Sequence, residues 1–266
     1  SSYPTGEQIH PLSNALWDES GHFESHGKAS YSLNVTEAYW EMDKILNNNF
    51  MVFTDAVREN QYDLVVGDES WEVAEYLHYN PSLKTAPFVF ITDFIGVSNV
   101  DNDPKKRAHV HNVNATWIEM RDIHPESSDL SLFIGELEDI PDRPFGEGLP
   151  NLRDWAQKHF RFPGYVVPFD PNEFSDQLAL RKELGFSQED KILIVAVGGT
   201  SVGRPLIEKC LKAQIHLKKM IPGIKMIILC GPRIDPKSFP QSEGVEFQPF
   251  IPDTTKLYAV CDLAVI

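Results

Sequence analysis

Basic residues are scarce. Lysine and arginine number 24 against 39 aspartates and glutamates, for a formal net charge of -15. So acidic a surface repels phosphate backbones, which argues against nucleic acid as a partner; a small anion needs only a few local donors. Cysteine is scarcer still. Cys210, Cys230 and Cys261 form no CxxC pair and sit in apolar surroundings. They read as small core residues of a reduced, cytoplasmic protein, not as a disulfide framework or metal ligands. No apolar run is long enough to span a bilayer. The chain opens on Ser1, so the lack of a leader carries no information. The histidine pairs His22/His26 and His109/His111 have no third ligand at workable spacing, and no metal site is expected. Apolar residues are plentiful, 42% of 266, enough for two modest cores.

Along the chain, strand patterns alternate with helical ones, the mark of parallel α/β sheets. Helical spacing begins after Asn34, with Glu37 as its capping partner, and runs to about Glu59 with a break expected at Asn47–Asn49. Strands are expected at Tyr62–Asp68, Phe88–Thr92 and Leu132–Gly135, with helices around Trp71–His78 and Val110–Arg121. Residues 141–172 are rich in proline and glycine, and the junction between domains is expected at about Gly164–Pro171. The second half holds a helix Glu173–Leu184, then strands at Lys191–Val197, Ile224–Cys230, Val245–Phe247 and Leu263–Ile266. Helices are expected from Pro205 and across about Asp253–Val260. The fold class is therefore α/β, with two Rossmann-like lobes spanning residues 1–166 and 167–266, each with its own parallel sheet and the two facing a shared cleft.

The most informative local feature is Gly198-Gly199-Thr200-Ser201-Val202-Gly203. A strand, a glycine-rich turn and a helix start make an anion site, because backbone N–H groups and the helix dipole converge there. Thr200 and Ser201 add hydroxyls and Arg204 adds a charge. Arg204 and Pro205 stand where a Walker A loop needs lysine and serine or threonine, so the loop is not of that kind. Arg233, after Gly231-Pro232 at the next strand end, is placed to reach the same anion. The competing readings are a simple tight turn and a surface arginine. In the first half, Asp68 and Asp93 end strands and are candidates for the base that takes a proton from an acceptor hydroxyl. Their competing role is that of helix N-caps.

The second half resembles the nucleotide-sugar lobe of GT-B glycosyltransferases, in particular the family of the lipid II GlcNAc transferase and its UDP-glycosyltransferase relatives. The residues that carry the resemblance are Ile194–Ser201, Ile227–Arg233, Phe250-Ile251-Pro252-Asp253 and Ala259–Ile266. Tyr62–Glu69, Ala86–Phe94 and Phe145–Pro150 extend it thinly into the first half, which would be the acceptor-side lobe. The resemblance implies transfer of a sugar from a nucleoside diphosphate, UDP first among the choices, to a hydroxyl acceptor, with lipid-linked acceptors and peripheral association with the inner face of the membrane included. It implies that no cofactor is required and that the nucleotide sugar is a substrate. Gly198, Gly199, Thr200, Ser201, Arg204 and Arg233 would hold the diphosphate, and Phe250-Ile251 would lie against the base. It also implies that both lobes are incomplete: the opening strand and loop of the first and the donor-gripping segment after the last strand have no counterpart here. The segment alone is then expected to be poorly soluble and catalytically silent. A sugar-nucleotide 2-epimerase of the same fold and a non-catalytic nucleotide-sugar binder are the alternatives.

Overall fold

The structure is a computed structural model and describes residues 10–19, 21–22, 35–98, 103–167, 169–199 and 201–266. The chain divides into two compact units with a boundary between Val166 and Val167.

The first unit is built on three parallel strands, β1 (Val65–Asp68), β2 (Phe88–Thr92) and β3 (Leu130–Phe133), in the order β1-β2-β3. One face is covered. β2 buries Phe88, Phe90 and Thr92 and leaves Val89 and Ile91 half-buried. Phe50 of helix α1 (Val35–Glu59), Leu77 of α2 (Trp71–Tyr79), Met120 of α3 (Pro104–Ile123) and Trp155 of α4 (Leu152–His159) join that core. Each such side chain taken fully out of water contributes roughly 1.5–3 kcal/mol. β1 is shorter than its apolar run because it lies at the sheet edge, where Leu64 and Val66 stay exposed.

Two expectations fail here for identifiable reasons. Helix α1 does not break at Asn47–Asn49. The three amides find partners outside the helix ladder or one turn back: Asn47 donates to the Asp43 carbonyl, Asn48 to the Ala15 carbonyl, and Asn49 accepts the Trp17 N–H at 2.9 Å and donates to Glu19. Helix α4, not expected from the sequence, lies in the proline- and glycine-rich stretch ahead of the junction. Asn151 caps it, accepting from the N–H groups of Arg153 and Asp154. Asn34, expected as the cap of α1, lies outside the described residues.

The second unit has four parallel strands, β4 (Lys191–Ala196), β5 (Ile224–Leu229), β6 (Val245–Gln248) and β7 (Leu263–Val265), in the order β6-β5-β4-β7. The chain steps outward from β4 to β6 and then returns to the other side of β4, so a topological switch point falls between β4 and β7. Both faces are covered. Ile207 of α6 (Arg204–Met220) packs with Val195 and Ile228 on one side; Leu180 of α5 (Gln177–Glu183) and Val260 of α7 (Thr255–Val260) pack with Ile194 and Ile227 on the other. No helix among the described residues is long and apolar enough to cross a membrane.

Arg181 ties this unit together. It is largely buried and donates to the carbonyls of Asp190 and Val260 and to the Asp262 carboxylate at 3.0 Å. Asp262 in turn accepts the Ile192 N–H at 2.8 Å, which locks β7 to β4. That backbone bond, with Arg181 behind it, holds the Asp262 carboxyl below its usual 3.8. A depressed folded pKa means the stabilisation is full above the unfolded value and is lost as pH falls through the folded one. Asp262→Ala should therefore cost about 1–2 kcal/mol at neutral pH. In denaturant titrations the gap to the wild type should close below about pH 4; a gap independent of pH would show that the charge is not what matters.

Candidate functional site

The strands of a parallel sheet all end on the same edge, so the loops that follow them share a neighbourhood. In the second unit the loop after β4 and the loop after β5 meet backbone to backbone. Gly231 and Gly198 both have φ of +71°, and a Cβ built on Gly231 would fall inside the contact radius of the Gly198 carbonyl oxygen. Only glycine satisfies both the left-handed backbone and the missing space. Gly199 differs: nothing lies within 4 Å of where its Cβ would stand, so it presents bare backbone outward. The chain then turns through Ser201–Gly203 into α6, whose N-cap, Gly203, supplies no side-chain acceptor. An open glycine backbone followed by a 17-residue helix that starts at a glycine is an arrangement that suits an anion.

The other expected donors distribute unevenly. Thr200 lies outside the described residues. Ser201 opens the turn into α6 and is exposed. Arg204 is anchored to the protein. Its Nε reaches Glu208 at 3.2 Å, its Nη1 donates to the Ser238 hydroxyl at 2.9 Å, and its guanidinium stacks 4.5 Å from the Phe239 ring centre. Those contacts brace the first turn of α6 against residues 236–239, so Arg204 shapes the loop from behind. Arg233 is exposed in the loop after β5. Phe250 is 55% exposed, whereas Ile251 turns inward against the core of α5 and α7. Cys230, at the base of the β5 loop, is fully buried, and burial pushes its thiol pKa up. A cavity of about 770 Å³ in this unit lies elsewhere, over the first half of β5 beside Phe186, Glu246 and Lys256.

In the first unit the acid that stands out is Glu69. It is the one non-glycine residue with positive φ among the described residues, at 50°, a backbone state that glutamate adopts at a cost of order 1 kcal/mol or more. That state swings its carboxylate across to the end of β2. Oε1 accepts the hydroxyl of the fully buried Thr92 at 3.1 Å and faces the backbone N–H of Asp93 at 3.4 Å. Desolvation raises the pKa of Glu69, and the neighbouring Asp93 charge adds to the rise. Glu69 and Asp93 thus form a carboxylate pair at the ends of β1 and β2. Asp68 stands apart, exposed beside Val66 in the strand alternation. Neither expected aspartate is a helix cap: Ser70 holds that position for α2, and Asp103 caps α3, accepting from Lys105. The sequence contains the dipeptide Asp68-Glu69, but nothing in it marks the second acid as the strained one.

No family model and no curated protein matches the chain. It is similar to the crystal structure of CalG4, the calicheamicin glycosyltransferase, at 16% identity over 88% of this chain and 57% of that one, with a TM-score of 0.44. It is also similar to the glycotransferase of kitacinnamycin, at 15% identity over 85% of this chain and 58% of that one, with a TM-score of 0.46. The chain spans somewhat more than half the length of either.

The two loop glycines should respond oppositely to the same added methyl group. Gly231→Ala should lower stability by about 1–3 kcal/mol through the clash and the left-handed φ. Gly199→Ala should stay within about 0.5 kcal/mol of the wild type. Thermal denaturation of both variants checks this, and equal melting temperatures would remove the loop contact as a constraint.

Proposed function

We propose that this sequence belongs to an inverting glycosyltransferase that moves a sugar from a nucleoside diphosphate, UDP first among the choices, to an acceptor hydroxyl. The observation that carries the reading is the open backbone of Gly199 near the glycine N-cap of α6, at the switch point of the second sheet. Such a site stabilises the leaving diphosphate by N–H donors and dipole alone, with no metal required. Gly198 and Ser201 belong to this cradle, with Arg233 as a charge at its rim and the exposed ring of Phe250 offered to the base. Thr200 is assigned to the cradle by its place in the motif. Arg204 keeps the helix start in position.

In the first unit we assign the proton transfer to the Glu69–Asp93 pair, with Glu69 as base. The acceptor oxygen attacks the anomeric carbon as its proton passes to the carboxylate; the bond from that carbon to the diphosphate oxygen breaks, and its electron pair leaves with the nucleotide. A raised carboxylate pKa brings the base closer to neutral pH, where proton abstraction is most efficient. The 2-epimerase reading uses the same two features, and product analysis separates the two activities. A lipid-linked acceptor, and with it residence at the inner membrane face, belongs to the same proposal.

Titration calorimetry with UDP tests the loop. Gly199→Val should weaken binding by at least about tenfold while leaving the melting temperature unchanged, because the added bulk meets only the ligand. Unchanged affinity sinks the diphosphate assignment. Nucleotide release by the gene product carrying this sequence tests the base. The rate should rise with pH through a value above the ordinary 4.5 of a glutamate, since only the deprotonated form accepts a proton. Glu69→Gln should lower kcat by about 10²–10⁴-fold and erase that limb of the profile.

A further inference from the structure

Beside the carboxylate pair, the first unit contains a cavity of about 280 Å³. One wall is aromatic. Trp71 and Trp117 stack with ring centres 4.5 Å apart, and Phe94 lies 5.9 Å from Trp117 and 5.4 Å from Trp71. Phe94 remains 37% exposed, and Met42 adds a buried aliphatic surface. Two acids, Asp43 from α1 and Glu75 from α2, share the lining with the neutral polar Asn112, Asn114 and Thr116 of α3. Among the described residues no lysine or arginine lines the cavity, and His109 is the one lining side chain able to carry positive charge.

Glu75 is half-buried and Asp43 is exposed at the cavity's rim, and neither has an ion-pair or side-chain hydrogen-bond partner among the described residues. Glu75 is held out of water, and burial first, then the Asp43 charge, raises its pKa. Two unpaired carboxylates beside the aromatic cluster repel an anion and add nothing for a neutral ligand beyond what Asn112 and Thr116 already offer. A cation satisfies both features, because the ring quadrupole and the carboxylates attract it together. A metal ion fits poorly, since two carboxylates supply too few oxygens and the rings supply none.

We propose that this cavity binds a hydrophobic organic cation, an aromatic or branched-alkyl ammonium, with the apolar part against Trp71, Trp117 and Phe94 and the charged nitrogen between Asp43 and Glu75. The volume admits a small molecule and no folded peptide segment. The ligand class stands whether or not the sugar-transfer reading holds.

The test uses the full chain and tryptophan fluorescence, with benzyltrimethylammonium as the probe and benzyl alcohol and benzenesulfonate as neutral and anionic comparisons. The ammonium should bind roughly tenfold more tightly than the alcohol, and the sulfonate should not bind. Glu75→Gln and Asp43→Asn, which keep size and shape, should each weaken ammonium binding several-fold and leave benzyl alcohol unchanged. Trp117→Leu should reduce both. Equal binding of the cation and the anion, or indifference of the cation to both acid variants, overturns the proposal. A parallel titration with UDP keeps the two ideas apart: UDP bound and ammonium not bound sinks this site alone, and the reverse sinks only the donor assignment.

Discussion

Two stretches of main chain meet at the C-terminal edge of the second sheet with no side chain between them. Gly231 against Gly198 is a tight constraint in that unit, because the pairing of β4 with β5, Ala196 opposite Leu229, delivers both loops to the same place. Shortly after Gly199 comes the turn Ser201–Gly203 that begins α6. Arg204 then pins the first turn of α6 to residues 236–239, in the connection that follows β5. Sheet register, loop contact and helix anchor are thus one chain of cause. Its product is a helix start with a glycine at its N-cap.

The first unit reaches its chemistry by a different route. Its sheet is covered on one face, and the loop after β2 is held by a buried amide: Asn114 accepts the Val97 N–H at 2.9 Å and donates to the carbonyls of Val97 and Phe145. With every polar atom of that side chain bonded, the loop that carries Asp93 and Phe94 is fixed at its far end. Glu69 is fixed from the other side through Thr92. Acids in this unit are desolvated repeatedly. Glu72 on α2 is pushed up to about 7, chiefly by burial. Such groups favour neutral or paired states.

The second unit is largely legible from sequence because its strands are buried on both faces and therefore read as unbroken apolar runs such as Ile192–Ala196. Its glycine turn is legible because turn chemistry is local. The first unit is harder. A strand at a sheet edge pairs over fewer residues than its apolar run suggests, which shortens Tyr62–Asp68 to Val65–Asp68. The asparagines of α1 oppose helix by propensity, and the bonds that compensate come from residues some thirty positions earlier, beyond any local window. Prolines and glycines around residues 141–150 obscure helix α4, although Asn151 is a readable cap. The same limit governs the site residues. Asp68 and Glu69 are chemically alike in sequence, and only the backbone angle at Glu69 separates them. Arg204 reads as a free donor because its partners, Ser238 and Phe239, lie over thirty residues downstream.

Cys230 gives the loop contact a readout of its own. The thiol has no exposed surface and sits one residue before Gly231, so an alkylating reagent reaches it only when the two loops part. Burial already disfavours the thiolate, the form that reacts. The rate at which the sulfur is modified under native conditions is therefore a stopwatch on loop opening, set against the far faster labelling of half-buried Cys210 and Cys261 in the same chain. A molecule that settles on the amides of Gly199 and α6 would slow that one clock and leave the other two running.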